Sequence, residues 1–162
     1  MKIKYIIIFL PFLFACIPSV FISSIGHKSI EKNSTIYISK FYGMSLEEND
    51  FREKLGLALK RRGFITVNNF RKSNYYLFIN FNNHLQKNVE QKSSTDIFLT
   101  ELFLIESKNI SASSGLPFDL GDALWMCKIE LAWLEFLKYQ DDITDIVSNY
   151  FCDTYIGRKI LF

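Results

Sequence analysis

The chain has 162 residues, of which 49% are hydrophobic and 16% aromatic, and its formal net charge is +2. This length is enough for one domain with a sizeable core, and the aromatic content argues against disorder. Lys2 and Lys4 belong to a predicted leader, so the rest of the chain is close to neutral. Nucleic-acid binding requires a basic surface, and we therefore expect no nucleic-acid partner.

The N-terminal sixteen residues have the pattern of a secretory signal. Two lysines precede an uncharged, mostly apolar run that ends in Leu13-Phe14-Ala15-Cys16. These four residues resemble the lipobox of bacterial lipoproteins. The resemblance implies cleavage before Cys16 and lipidation of its thiol, and two or three acyl chains make a stable membrane anchor. In such families, an aspartate after the cysteine holds the protein at the inner membrane, so Ile17 favours the outer membrane or the cell surface.

Two other interpretations of the N terminus stay open. Residues 5–25 carry no charge and are long enough for an uncleaved membrane-spanning helix. Ordinary signal cleavage after Ser24, without a lipid anchor, is the third interpretation. On the lipobox interpretation the chain divides into a signal peptide over 1–15, the lipidated cysteine with a tether over 16–34, and a single α/β domain over 35–162.

The domain is predicted to contain five strands and two helices. Ser45 and Glu48 have the spacing of a capping box at the start of the first helix, and Gly63 suits its C-terminal cap. Residues 123–136 alternate cleanly as a strand, although their composition also permits a helix. Periodicity predicts strands over 35–41, 64–67, 73–82, 95–107 and 123–136, and helices over 45–63 and 140–153.

The resulting order, β-α-β-β-β-β-α, predicts an α+β fold with an antiparallel sheet of about five strands and two helices packed on one face. This order, together with Gly63-Phe64 and Trp125, resembles small periplasmic domains of bacterial lipoproteins of unknown function and the N-terminal domain of TolB-like accessory proteins. The resemblance implies a scaffold or accessory of envelope complexes rather than an enzyme.

Few residues suggest catalytic chemistry. His27 and His84 are the only histidines, and neither lies in a cluster of cysteines or histidines that could hold zinc. The sequence has no glycine-rich phosphate loop, so we expect no cofactor, no metal and no enzymatic activity. Cys127 and Cys152 could form a disulfide in an oxidising compartment or remain free thiols.

One face of the predicted sheet is the candidate site. If the aliphatic residues of the first and third predicted strands face the helices, the opposite face carries Tyr37, Phe41, Tyr76 and Phe78. If this aromatic patch is open to solvent, it marks a binding surface for an envelope protein or for a second copy of the chain. If a loop covers the patch, these residues belong to the core. A carrier of a small apolar ligand, bound between sheet and loops, is the alternative function.

Overall fold

The computed structural model describes residues 18–40, 42–82, 97–110 and 118–162. These residues form one seven-stranded sheet in the order β3-β2-β4-β5-β6-β1-β7. The strands are β1 (Ser19–Gly26), β2 (Thr35–Ile38), β3 (Ile65–Val67), β4 (Tyr75–Asn82), β5 (Ile97–Glu106), β6 (Ala123–Ala132) and β7 (Tyr155–Ile160), and the helices are α1 (Leu46–Arg61), α2 (Trp133–Lys138) and α3 (Gln140–Asn149).

The predicted α+β class is confirmed, but the predicted sheet is wrong in strand number and in direction. β2 pairs in parallel with both β3 and β4, and the other neighbours are antiparallel. Parallel pairing arises because α1 carries the chain back across the sheet between β2 and β3, as a crossover connection does. The sheet is therefore mixed, and two of its strands, β1 and β7, were not among the five predicted.

Helix α1 has the predicted ends and the predicted buried face. The Ser45 side chain accepts a hydrogen bond from the Glu48 amide, and the Glu48 carboxylate accepts one from the Ser45 amide. Gly63 has a φ of +93°, a left-handed conformation that glycine adopts without strain. Phe51, Leu55 and Leu59 are fully buried, so the helical stripe read from the sequence is confirmed.

Strand β1 corrects the prediction of a tether over 16–34. Its Val20, Ile22 and Ser24 side chains are fully buried, and the strand lies between β6 and β7. The Ser24 hydroxyl donates to the Asp153 carbonyl at 2.9 Å. A Cβ on Gly26 would lie 2.1 Å from the Cys152 carbonyl oxygen, so only glycine permits this approach. The prediction of a tether is therefore wrong over Ser19–Gly26, and so is the prediction of a membrane-spanning helix over the same residues. Residues 1–17 lie outside the described part of the chain.

The C-terminal third differs from prediction in two places. The strand expected over 123–136 is confirmed as far as Ala132, and α2 begins at the next residue, Trp133. A helical turn places Trp133 and Phe136 against Phe98, with ring centroids 5.3 and 3.8 Å away. Helix α3 ends at Asn149, and the chain then returns as the edge strand β7. Within the described residues, none of the helices combines the length and the apolar character needed to cross a bilayer.

The main core lies between the sheet and its helices. The inner face of the sheet presents Ile36, Leu77, Leu104 and Trp125, each fully buried. Helices α1 and α3 pack on this face and against each other, and Phe136 of α2 joins the same cluster. Three helices of the described chain, where two were predicted, therefore cover one face of the sheet, and the opposite face is left to the candidate site.

Candidate partner-binding surface

Three aromatic side chains meet on the sheet face opposite the helices. Tyr37 of β2 and Tyr76 of β4 are register partners, so their rings stack, with centroids 5.6 Å apart and planes 25° apart. Phe70 meets both rings edge-on, at 6.0 and 5.5 Å. All three side chains are half-buried. We call Tyr37, Phe70 and Tyr76 the outer aromatic cluster.

Phe70 reaches the cluster from a short 3-10 helix, Phe70–Lys72, rather than from a strand. The Asn69 side chain caps this helix by accepting from the Arg71 amide at 3.0 Å. The Ser73 hydroxyl lies 2.7 Å from the Phe70 carbonyl and 2.8 Å from the Ser107 hydroxyl. These bonds fix the turn against the end of β5, so the third ring is held in place. Sequence periodicity missed Phe70 because a single turn has no repeat, and its one local signal is the capping Asn69.

Phe78, one of the four predicted site residues, is covered. Its side chain is 8% exposed, and Phe118 packs on it edge-on, with centroids 5.4 Å apart. Phe103 and Ile105 complete a second, smaller core on this face. In this structure Phe78 therefore supports the cluster from beneath the surface rather than presenting a contact surface. Phe41, the fourth predicted residue, lies outside the described residues, as does Cys16.

Burial makes the Tyr76 phenol a stable neutral group. Removal from water, and then the neighbouring Tyr37, raise the pKa of Tyr76 to about 12. The hydroxyl therefore keeps its proton throughout the physiological range and can both donate and accept a hydrogen bond. A flat aromatic ring with one neutral polar group is the kind of side chain that anchors protein interfaces.

A polar patch interrupts the outer face of the sheet beyond the aromatic cluster, and apolar side chains of the same face, Leu99, Met126 and Phe21, lie around it. The Asn80 amide donates to the Glu101 carboxylate at 3.2 Å, and Lys128 pairs with Glu130 at 2.5 Å. These residues occupy the same face of β4, β5 and β6, further towards the strand ends next to Ala132. The expectation of an apolar outer face is therefore met around the outer aromatic cluster and is interrupted by this polar patch.

The two described cysteines are free and protonated. Cys127 is buried and Cys152 is partly buried, and neither forms a disulfide. Burial raises the pKa of each thiol to about 12, so neither is a thiolate near neutral pH. His27 is exposed, whereas His84 lies outside the described residues. Over the ranges that the structure describes, no three histidine, cysteine or acidic side chains are grouped closely enough to hold a metal ion.

Surface grooves offer little to an apolar ligand. One groove of about 290 Å³, between α1 and β3, is bordered by Arg52, Glu53 and Lys60. Another, of about 510 Å³, includes Glu130 and Arg158 in its lining. Because ligand pockets are predominantly apolar with few polar groups, these two charged grooves do not support the carrier hypothesis.

Comparison with known proteins identifies a shared fold but no family. No protein-family model and no curated protein matches the chain. Among solved structures, the chain is similar to the dodecamer of a PelC variant from Paraburkholderia phytofirmans, with 10% sequence identity, a TM-score of 0.50, and coverage of 80% of this chain and 95% of that one. A PelC dodecamer from the same organism, in a different space group, gives 9% identity, a TM-score of 0.50 and the same coverage. A DUF4136 family protein from Bacteroides thetaiotaomicron matches at 11% identity and a TM-score of 0.45, over 80% of this chain and 92% of that one.

Proposed function

We propose that this chain is a lipid-anchored protein of a bacterial cell envelope that binds a protein partner through the outer aromatic cluster and has no catalytic role. The observation that carries the proposal is the cluster itself. Three half-buried aromatic rings face outwards on a sheet whose helices cover the other face. A sheet face that is open to solvent normally carries polar side chains, so stacked rings on the open face of the β2–β4 pair favour a binding role.

The proposed anchor is Cys16, at the outer membrane or the cell surface. Its support is the lipobox-like Leu13-Phe14-Ala15-Cys16 after a charged and then apolar leader. The structure adds an argument against the alternative cleavage after Ser24. That cleavage would remove Val20, Ile22 and Ser24, all fully buried in β1, and would leave an open slot between β6 and β7.

The state of the two described thiols is consistent with the proposed non-catalytic role. The pKa of each described thiol is raised to about 12, which leaves it protonated and unreactive. The pKa of the Tyr76 phenol is raised in the same way, so it is a hydrogen-bonding group rather than a base. We therefore assign the outer aromatic cluster to recognition.

The partner is either another envelope protein or further copies of this chain. The second choice draws support from PelC, which has a similar fold and forms a dodecamer. The native mass of the protein extracted from membranes in mild detergent distinguishes the two, because self-association gives a multiple of one chain mass and a different partner does not.

A paired set of variants tests the binding surface. Tyr37→Ala with Tyr76→Ala removes two rings of the cluster, and truncating one anchor at a hot spot costs about 2 kcal/mol or more. Lys128→Ala with Glu130→Ala is the matched control, because that pair lies on the polar part of the same face. We expect the first variant to lose the complex recovered from membranes with the wild-type chain, and the control to keep it.

Urea midpoints of both variants show whether a lost complex reflects lost binding or lost folding. If the tyrosine variant unfolds, Phe70→Ala replaces it, since Phe70 comes from a turn outside the sheet. A folded variant that keeps the full complex would contradict the proposed surface.

A further inference from the structure

The proposed anchor leaves almost no chain between the membrane and the sheet. Only Ile17 and Pro18 separate Cys16 from Ser19, where β1 begins. Three residue steps span at most about 11 Å even when fully extended. A lipid on Cys16 therefore holds the start of β1 within about 11 Å of the lipidated residue, a distance of one to two headgroup layers. This step depends on the proposed function, because it takes Cys16 as the lipidated residue.

The start of β1 identifies which end of the sheet must face the lipid. Ser19 pairs with Ile160 at the end of β7, and the Leu161 amide donates to the Pro18 carbonyl at 3.0 Å. On the other side, β6 ends at Ala132, which pairs with Ile97 at the start of β5. Ser19, Ile97 and Ala132 line one groove, so these four strand ends lie together.

Exposed apolar side chains gather at this end. Ile97 is 67% exposed and Ile160 is 49% exposed, on strands three spacings, or about 14 Å, apart. Helix α2 starts directly after Ala132 and buries Phe136 while leaving two leucines in solvent. We call the set the anchor edge; its members are Ile97, Leu134, Leu137, Ile160 and Phe162.

We propose that the anchor edge lies in the headgroup region of the bilayer, so that the lipid on Cys16 and these five side chains bind one membrane surface together. Apolar faces of membrane-surface proteins insert about 5–10 Å at this boundary, and clustered exposed apolar groups mark such contacts. Among the described residues, charges of both signs lie beside the edge: the basic Lys138, Arg158 and Lys159, and the acidic Glu130, Glu135 and Asp142. We therefore expect insertion into zwitterionic lipid without a need for anionic headgroups.

This orientation places the outer aromatic cluster away from the membrane. Tyr76 pairs with Ile105 on β5, eight residues from Ile97, which corresponds to about 26 Å along the strand. The cluster is therefore presented to a partner in the aqueous compartment, above the lipid surface.

Fluorescence quenching by lipid tests the orientation. Single cysteines are introduced in the full chain at two edge positions, Ile97→Cys and Leu134→Cys, and at two exposed control positions near the opposite strand ends, Ile65→Cys and Leu120→Cys. Each is labelled with an environment-sensitive dye. Native Cys127 and Cys152 resist labelling because burial keeps them protonated, and the wild-type chain, labelled in parallel, gives the signal of any unmodified Cys16. The labelled proteins are placed in phosphatidylcholine vesicles that contain lipid with a nitroxide near the headgroup.

We expect dyes at Ile97→Cys and Leu134→Cys to lose most of their fluorescence, and dyes at Ile65→Cys and Leu120→Cys to lose almost none. Equal quenching at all four positions, or quenching at the controls alone, would overturn the orientation. An edge dye shielded from water but not quenched would also overturn it, because the edge would then be covered by a second copy or another protein.

The mass of the N-terminal peptide, measured on the same samples, separates this inference from the anchor. A lipidated Cys16 with unquenched edge dyes refutes the orientation and leaves the anchor intact. An unmodified Cys16 refutes the lipid anchor. In that case the proposed orientation is supported if the dyes at the anchor edge are still quenched on vesicles, and it is refuted if they are not.

Discussion

Replacing Ile22 tests whether β1 is part of the fold. Ile22 is fully buried and lies between Ile129 of β6 and Gly157 of β7. Ile22→Ala deletes three carbon atoms from the core, a change that costs about 2–5 kcal/mol when the site cannot collapse. The Tyr155 hydroxyl lies 2.3 Å from the place of a Cβ on Gly157, so this ring can relax in part into the space, and we expect a loss of about 3 kcal/mol, within that range.

The matched control is Ile25→Ala in the same strand. Ile25 is 42% exposed, and exposed sites change stability by about 0.5 kcal/mol or less. The assay is urea unfolding followed by the fluorescence of the two tryptophans, Trp125 and Trp133. With a slope near 2 kcal/mol per M, a loss of about 3 kcal/mol lowers the midpoint by about 1.5 M. If Ile22→Ala and Ile25→Ala lowered the free energy of unfolding by the same small amount, β1 would not be part of the core, because residues of a tether contribute nothing to it.

Three further predictions follow from particular contacts. Leu55→Ala should lower the free energy of unfolding in urea by about 2–5 kcal/mol. Its control, Leu57→Ala, changes a 54% exposed site and should lower it by about 0.5 kcal/mol or less. Equal losses would show that the buried face of α1 is misassigned. Gly26→Ala should cost at least about 1–3 kcal/mol, because its Cβ would meet the Cys152 carbonyl at 2.1 Å; a neutral result would contradict that approach. For Tyr76, one of eight tyrosines, the difference between the absorbance titrations of the wild-type chain and of Tyr76→Phe should show no ionisation until the pH approaches about 12. This pKa is raised above the value near 10 of a tyrosine in an unfolded chain. The contribution of the neutral phenol to the free energy of unfolding is therefore complete below about pH 10 and is lost as the pH rises towards 12. Ionisation of Tyr76 near pH 10 would contradict its burial.

Local patterns predicted the elements that carry their own signals. Helix α1 follows from its capping box, its 3.6-residue stripe and Gly63, all of which lie within one stretch of sequence. The inner face of β4 follows from alternation, since Leu77 and Ile79 point to the helices and Tyr76 does not. The position of Tyr76 on the outer face was therefore predictable from the sequence.

Strands β1 and β7 were not predictable because their signals are masked by context. Buried Val20 and Ile22 directly follow the apolar leader, so their alternation merges with a longer apolar run. In β7, Gly157 and two basic residues interrupt the apolar pattern, as an edge strand permits. The direction of β2 relative to β4 is set by tertiary contacts, and alternation is the same in parallel and antiparallel pairs.

The candidate site was predictable only in part, because alternation along a strand is a local pattern and burial depends on distant segments. Tyr37 and Tyr76 lie on predicted strands, and the structure places them side by side. Phe118 covers Phe78 from a distant part of the chain, and no local pattern indicates which loop covers which ring. Alternation identifies the face that a residue lies on, whereas burial of that face depends on contacts between distant segments.

The mass and sequence of the mature N-terminal peptide, from protein isolated out of its native membranes, test the central claim most directly. The account predicts a chain that begins at Cys16 and carries covalently bound acyl chains. An intact Met1, or an unmodified chain that begins at Ile25 without β1, would contradict it.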